Sequence, residues 1–168
     1  TMGGSNENLV WFIRNFTEIT DQPSFFEWMT LPTEKPIAWG AVLGKPVHFS
    51  RSPQRHQKYF SERKSFFTKI EITSEELSKH MSFLIDLGMQ YVAVTSPLKE
   101  TAFQISNNKS EVGIQFAAAN TLYVNKNKIF SHNTDFTGFK ELVKNIKPSD
   151  KVAIWGGGGT LAIMKNIL

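Results

Sequence analysis

Three short segments of this chain carry polar side chains in patterns that a purely structural role does not require. Ser50-Arg51-Ser52-Pro53 sets two hydroxyls two residues apart. In extended chain such residues project to one side, so both can hydrogen-bond adjacent hydroxyl or carboxylate groups of one small ligand. A plain helix N-cap by Ser52 explains the same residues. Val94-Thr95-Ser96-Pro97-Leu98-Lys99 ends an apolar run with a lysine. Ligands bind beyond the carboxyl ends of parallel strands, which makes Lys99 an acid/base candidate; the alternative is a solvated lysine at a helix start. Asn133-Thr134-Asp135 sets a carboxylate at another helix start, where capping accounts for part of the pattern. An aspartate beside a lysine ammonium would form a charge-assisted pair able to relay a proton.

A fourth segment, Gly156-Gly157-Gly158-Gly159, follows one apolar run and precedes another. Bare backbone N–H groups before a helix N-terminus suit a pyrophosphate, although a glycine run also serves as a plain turn.

The elements that would position these groups are legible as alternating strands and helices. Residues 37–43 form a short apolar run closed by Gly44 and Pro46, which predicts a buried strand entering a loop. A helix is expected over 53–64, with Pro53 in its first turn. Residues 66–72 are β-prone, and Thr73-Ser74-Glu75-Glu76 forms a capping-box pattern. Behind it Leu77, Met81, Leu84 and Ile85 share one helical face, Gly88 suits the C-terminal cap, and strand character resumes over 91–95. Strand, helix and strand imply a βαβ unit with parallel pairing. Short helices are expected over 98–106 and 110–118, and a hairpin over 121–130 turned at Asn125-Lys126-Asn127. A helix from Asp135 to about 146 would carry Phe136, Phe139, Val143 and Ile146 on one face, ahead of a strand over 151–155 and a helix from 160.

The expected class is therefore α/β: a mainly parallel sheet flanked by helices, followed by the first βα unit of a Rossmann domain. Residues 1–36, punctuated by Pro23, Pro32 and Pro36, read as an arm or linker, 37–135 as an α/β domain that the family resemblance given below identifies as the substrate-binding catalytic domain, and 136–168 as an interdomain helix with the start of a dinucleotide domain. A dinucleotide domain needs several more βα units, so the chain reads as truncated relative to a two-domain enzyme.

Composition narrows the class of function. With 168 residues, 40% of them apolar, the chain can bury a core. No apolar stretch approaches the roughly 20 residues that cross a bilayer, and no export signal opens the chain, so no membrane role is expected and cytoplasm is the default compartment. The net charge of +4 is spread over scattered lysines and arginines, which argues against a nucleic-acid surface. Zero cysteines exclude disulfides and thiolate chemistry, and His48, His56, His80 and His132 lack metal-ligand spacing.

Read together, these segments resemble the shikimate dehydrogenase family. G-K-P-V-H-F-S-R-S-P-Q-R-H at 44–56, V-T-S-P-L-K at 94–99, A-A-A-N-T at 117–121, N-T-D-F-T-G-F at 133–139 and G-G-G-G at 156–159 follow the family's order and approximate spacing. The resemblance covers residues 37–168 and implies reversible NADPH-dependent reduction of 3-dehydroshikimate to shikimate, on the route to chorismate and the aromatic amino acids. It implies that Ser50 and Ser52 hold the substrate carboxylate region, and that Thr95, Asn120 and Asp135 contact ring hydroxyls. Lys99 and Asp135 would form the catalytic pair, and Gly156, Gly157, Gly158 and Gly159 would hold the NADP pyrophosphate.

The chain departs from the family pattern at Phe49, where the family has His, at Gln57 in place of Asn, at Ala93 in place of Asn, and at Ala162 in place of Arg. Some relatives are fused to an upstream dehydroquinate dehydratase, which would make residues 1–36 the tail of such a fused domain; an N-terminal extension packed on the substrate domain is the alternative. A dehydrogenase acting on quinate and a non-catalytic regulator that senses quinate or shikimate are the competing readings. Retention of both Lys99 and Asp135 argues against the regulator, since a sensor needs no proton relay.

Overall fold

The computed structural model describes residues 38–147, 149–154 and 160–168. Residues 1–37, with the expected arm, and the glycine run at 156–159 lie outside the described residues.

Six strands form one sheet, β1 (Trp39–Gly44), β2 (Phe67–Glu71), β3 (Met89–Val94), β4 (Asn108–Lys109), β5 (Thr121–Asn125) and β6 (Lys128–His132), in the order β2-β1-β3-β5-β6-β4. Three pairings are parallel (β1 with β2, β1 with β3, β4 with β6), and two are antiparallel (β3 with β5, and β5 with β6 across their hairpin). Lys126 and Asn127 both take positive φ at the tip of that hairpin, the two-residue turn whose twist matches the strands.

β2 and β3 run parallel, but they do not pair with each other as a simple βαβ reading expects. β1 lies between them. It is buried at all six positions, so it takes the centre, where both faces are covered. β2, β5 and β6 instead alternate buried and more exposed residues, as strands with one covered face must.

The helices are α1 (Ser52–Ser61), α2 (Ser74–Asp86), α3 (Lys99–Gln104), α4 (Glu111–Phe116), α5 (Asp135–Val143) and α6 (Leu161–Ile167). α2 starts as the capping pattern requires: Thr73 Oγ1 accepts from the Glu76 N–H at 3.3 Å, and Glu76 Oε2 accepts from the Thr73 N–H at 2.8 Å. It ends at Asp86 with Leu87 as its C-cap, and Gly88 takes φ 93°, a conformation that L side chains rarely adopt. Leu77, Met81 and Leu84 on this helix join Trp39, Leu43, Ile70, Val92 and Leu122 in the core. Burying each such side chain contributes about 1.5–3 kcal/mol. The Trp39 indole N–H donates to the Leu87 carbonyl at 2.8 Å, so the largest core residue carries no unsatisfied polar group.

Two expectations give way. α5 stops at Val143 rather than near 146, and none of its residues is fully buried, so packing does not hold a further turn. Residues 151–154 form no strand and are exposed. A strand is held by its neighbours' backbone groups, and the six-stranded sheet does not include this segment. No helix among the described residues is long and apolar enough to cross a membrane.

Candidate active site

β1 and β3 are parallel neighbours, so their carboxyl ends open on the same edge of the sheet. Two loops leave from there and are tied together at once: the Thr95 N–H donates to Leu43 O at 2.9 Å, and the Lys45 N–H to Ser96 O at 3.0 Å. Gly44 permits this approach, because a Cβ there would clash with Thr95 Cγ2 and sit 3.1 Å from Ser96 O.

The first loop delivers the two serines. Ser50 Oγ accepts from the Ser52 N–H at 3.2 Å and donates to Ser52 Oγ at 3.1 Å. Ser52 is the first residue of α1, and its side chain caps no backbone N–H; Arg51 occupies the N-cap. The plain N-cap reading of Ser52 therefore fails. Because Ser50 donates to it, Ser52 Oγ keeps its own proton for an acceptor outside the pair.

The second loop brings Lys99 to the first position of α3, where its Nζ donates to Asp135 Oδ2 at 2.7 Å. The two side chains are 17% and 22% exposed, so the pair is largely shielded while still reachable. Shielding and the short distance make this a strong, charge-assisted contact. Asp135 opens α5, and its second oxygen, Oδ1, accepts from Asn120 Nδ2 at 2.8 Å. Both carboxylate oxygens are thus held, one by each partner.

Asn120 is itself locked. Its Nδ2 also donates to Thr134 Oγ1 at 2.9 Å, while Oδ1 accepts from the Thr134 N–H at 3.0 Å and from the Thr121 hydroxyl at 3.0 Å. In this arrangement the amide orients Asp135. Thr134, considered from sequence only as part of a cap, makes no side-chain cap bond and serves Asn120 instead. Asn133 is the other residue whose part exceeds capping: it is 4% exposed, and its side chain bonds both Ala118 O and the Asp135 N–H. The signal for both was their place directly before Asp135.

Of the residues expected at the site, Lys99, Asn120 and Asp135 form one hydrogen-bonded cluster. Thr95 stands half-buried at the start of the Lys99 loop, and Ser50 and Ser52 bond to each other rather than to that cluster. On the sheet face covered by α1, a hollow of about 370 Å³ is lined by His56, Tyr59, Phe60, Tyr91, Ala93 and Thr121 among others; none of Ser50, Ser52, Thr95, Lys99, Asn120 or Asp135 lines it.

The family model for the shikimate dehydrogenase substrate binding domain matches residues 42–122, which hold Ser50, Ser52, Thr95, Lys99 and Asn120. The chain carries a shikimate dehydrogenase substrate-binding domain. It is 30% identical over 131 residues to the NADP(+) shikimate dehydrogenase of Bartonella henselae, covering 75% of this chain and 45% of that one. The crystal structure of shikimate dehydrogenase 1 from Peptoclostridium difficile is similar with a TM-score of 0.68 at 30% identity, over 77% of this chain and 51% of that one. Shikimate 5-dehydrogenase from Thermus thermophilus, solved in complex with NADP(H) and shikimate, gives a TM-score of 0.57 at 29% identity, over 64% and 41%. The chain spans about half the length of the curated relatives it matches.

Two departures from the shikimate dehydrogenase pattern have a visible setting. Phe49 is 82% exposed, with its ring centroid 3.9 Å from that of His48. Ala93 faces the aromatic hollow, where its methyl suits walls that offer an amide little to bond.

Proposed function

We propose that this chain is the substrate-binding part of an NADP-dependent shikimate dehydrogenase, which interconverts 3-dehydroshikimate and shikimate in aromatic biosynthesis. The observation that carries the reading is the 2.7 Å contact between Lys99 Nζ and Asp135 Oδ2, with Asn120 holding the other carboxylate oxygen.

When bound, NADPH would supply a hydride to the substrate's carbonyl carbon. The electron pair released onto the carbonyl oxygen makes an alkoxide, and the Lys99 ammonium stabilises and protonates it. The neutral amine regains its proton from water. In the reverse direction that amine would take the hydroxyl proton as the ring carbon gives up its hydride to NADP+. Asp135 aims the lysine throughout and is itself aimed by Asn120.

Ser50 and Ser52 would receive the substrate carboxylate, for which the free Ser52 proton is suited. Thr95 and Asp135 would reach ring hydroxyls. Gly156, Gly157, Gly158 and Gly159 would meet the cofactor pyrophosphate; α6 begins at Leu161, so the run precedes a helix, as a phosphate-binding loop must. Residues 37–135 would form the substrate domain and 136–168 the start of the dinucleotide domain. The compartment we propose is the cytoplasm, in keeping with a chain that has no cysteine.

The test is NADP reduction by the full-length protein with shikimate and with quinate as alternative substrates. Shikimate should be the better substrate by kcat/KM. Preference for quinate would reassign the substrate, and no turnover of either would leave a binding protein.

A further inference from the structure

Asp135 owes its place to more than the residues that touch its carboxylate. Three chain segments meet at this corner, 94–99, 118–120 and 132–135, and the backbone joins the first two: the Ala119 N–H donates to Lys99 O at 2.8 Å, and the Val94 N–H to Asn120 O at 2.7 Å. The third is joined by the Asn120 N–H, which donates to His132 O at 3.0 Å. Beyond His132 the chain leaves the sheet, and the ladder no longer fixes it.

Asn133 takes over at that point. Its Nδ2 donates to Ala118 O at 3.0 Å, and its Oδ1 accepts from the Asp135 N–H at 3.1 Å. The residue is 4% exposed, so leaving either partner unpaired is costly and both bonds are held. One amide thereby fixes the Asp135 backbone to the segment that is bonded to Lys99.

We infer that Asn133 is a positioning residue that sets the separation of Lys99 and Asp135 by clamping the Asp135 backbone to Ala118. This rests on the proposed dehydrogenase function for its kinetic consequence, and on geometry alone for its structural one. The Asn133 side chain hydrogen-bonds to Ala118 O and the Asp135 N–H rather than to the Lys99 ammonium or the Asp135 carboxylate, so it acts through the backbone.

Two measurements test it. In the 168-residue chain, the ¹³C carboxylate resonance of Asp135 should move when Lys99→Met removes the ammonium. In an Asn133→Ala background the same substitution should move it far less, because the pair is already apart. An equal movement in both backgrounds would overturn the inference whether or not the protein is an enzyme.

In the full-length protein, Asn133→Ala should lower kcat for shikimate oxidation by about a hundredfold, the scale of a misplacement near 1 Å, with KM within about threefold. Asn133→Ser, whose hydroxyl can still accept from the Asp135 N–H, should fall between Ala and wild type. Val124→Ala, a truncation in the buried core of β5 away from the pair, controls for lost stability and should leave kcat unchanged. A fall in kcat no greater than that of Val124→Ala would overturn the positioning role. An inert wild-type protein would instead count against the dehydrogenase reading, while the resonance measurement still decides the clamp.

Discussion

Asn120 and Asp135 meet through a single hydrogen bond, Nδ2 to Oδ1 at 2.8 Å, that leaves the opposite carboxylate oxygen facing Lys99. The amide cannot rotate away, because Thr134 holds its other donor and its carbonyl oxygen. Asn120→Asp would put a carboxylate oxygen where the donor now stands and set two like charges together. Full-length Asn120→Asp should therefore lose about tenfold to a hundredfold in kcat/KM for shikimate, the range of a hydrogen bond to a charged group. Steady-state kinetics checks this, and an unchanged value would show that Asp135 needs no such partner.

Ser52 offers a hydroxyl proton that Ser50 leaves free. Removing it with Ser52→Ala should raise the Kd of the 168-residue chain for shikimate by about tenfold or more, the worth of one bond to a carboxylate. In the full-length protein KM should rise with little change in kcat, since the carboxylate takes no part in hydride transfer. Calorimetric titration measures the first effect and initial rates the second.

Gly44 makes room for Thr95 between the two loops. Gly44→Ala should destabilise the chain by about 1–3 kcal/mol through overpacking against Thr95 Cγ2. Thr95→Ser deletes that methyl, so the double variant should recover part of the loss, and thermal unfolding of the four proteins in the cycle reads the coupling. Strict additivity would place the strain elsewhere.

The Thr73 backbone N–H holds the Glu76 carboxyl below its ordinary value of 4.5, an effect that partial burial opposes. A carboxyl whose folded value is depressed adds stability above the unfolded value and loses it as pH falls through the folded one. The stability difference between wild type and Glu76→Gln should thus be full near neutrality and shrink as pH drops below the ordinary value of 4.5. Thr73→Ala should cost about 1 kcal/mol, the usual worth of such a cap. Urea unfolding from pH 7 to pH 3 checks both.

Local signals were the ones the sequence displayed well. The capping box and the apolar spacing of Leu77, Met81 and Leu84 define α2 because both act within a few residues. Lys126 and Asn127 mark the hairpin for the same reason. The place of β1 between β2 and β3 is harder to read, since it depends on what covers each face of the sheet. β4, two residues long, leaves no periodicity at all.

The site follows the same rule. Lys99 and Asp135 are 36 residues apart, and nothing local states that they touch; the ordered motifs of the shikimate dehydrogenase resemblance supplied that. Asn133 looked like part of a cap because its second bond goes to Ala118 O, a carbonyl whose direction only the folded chain reveals.

The account turns on Lys99 as the group that moves the proton. The most direct measurement is kcat for NADP-dependent shikimate oxidation by full-length Lys99→Met, with shikimate affinity measured alongside. A fall of about 10² to 10⁴ in kcat with affinity kept within a few-fold is predicted, the range for a positioned acid/base group. A kcat equal to that of the wild type would contradict it.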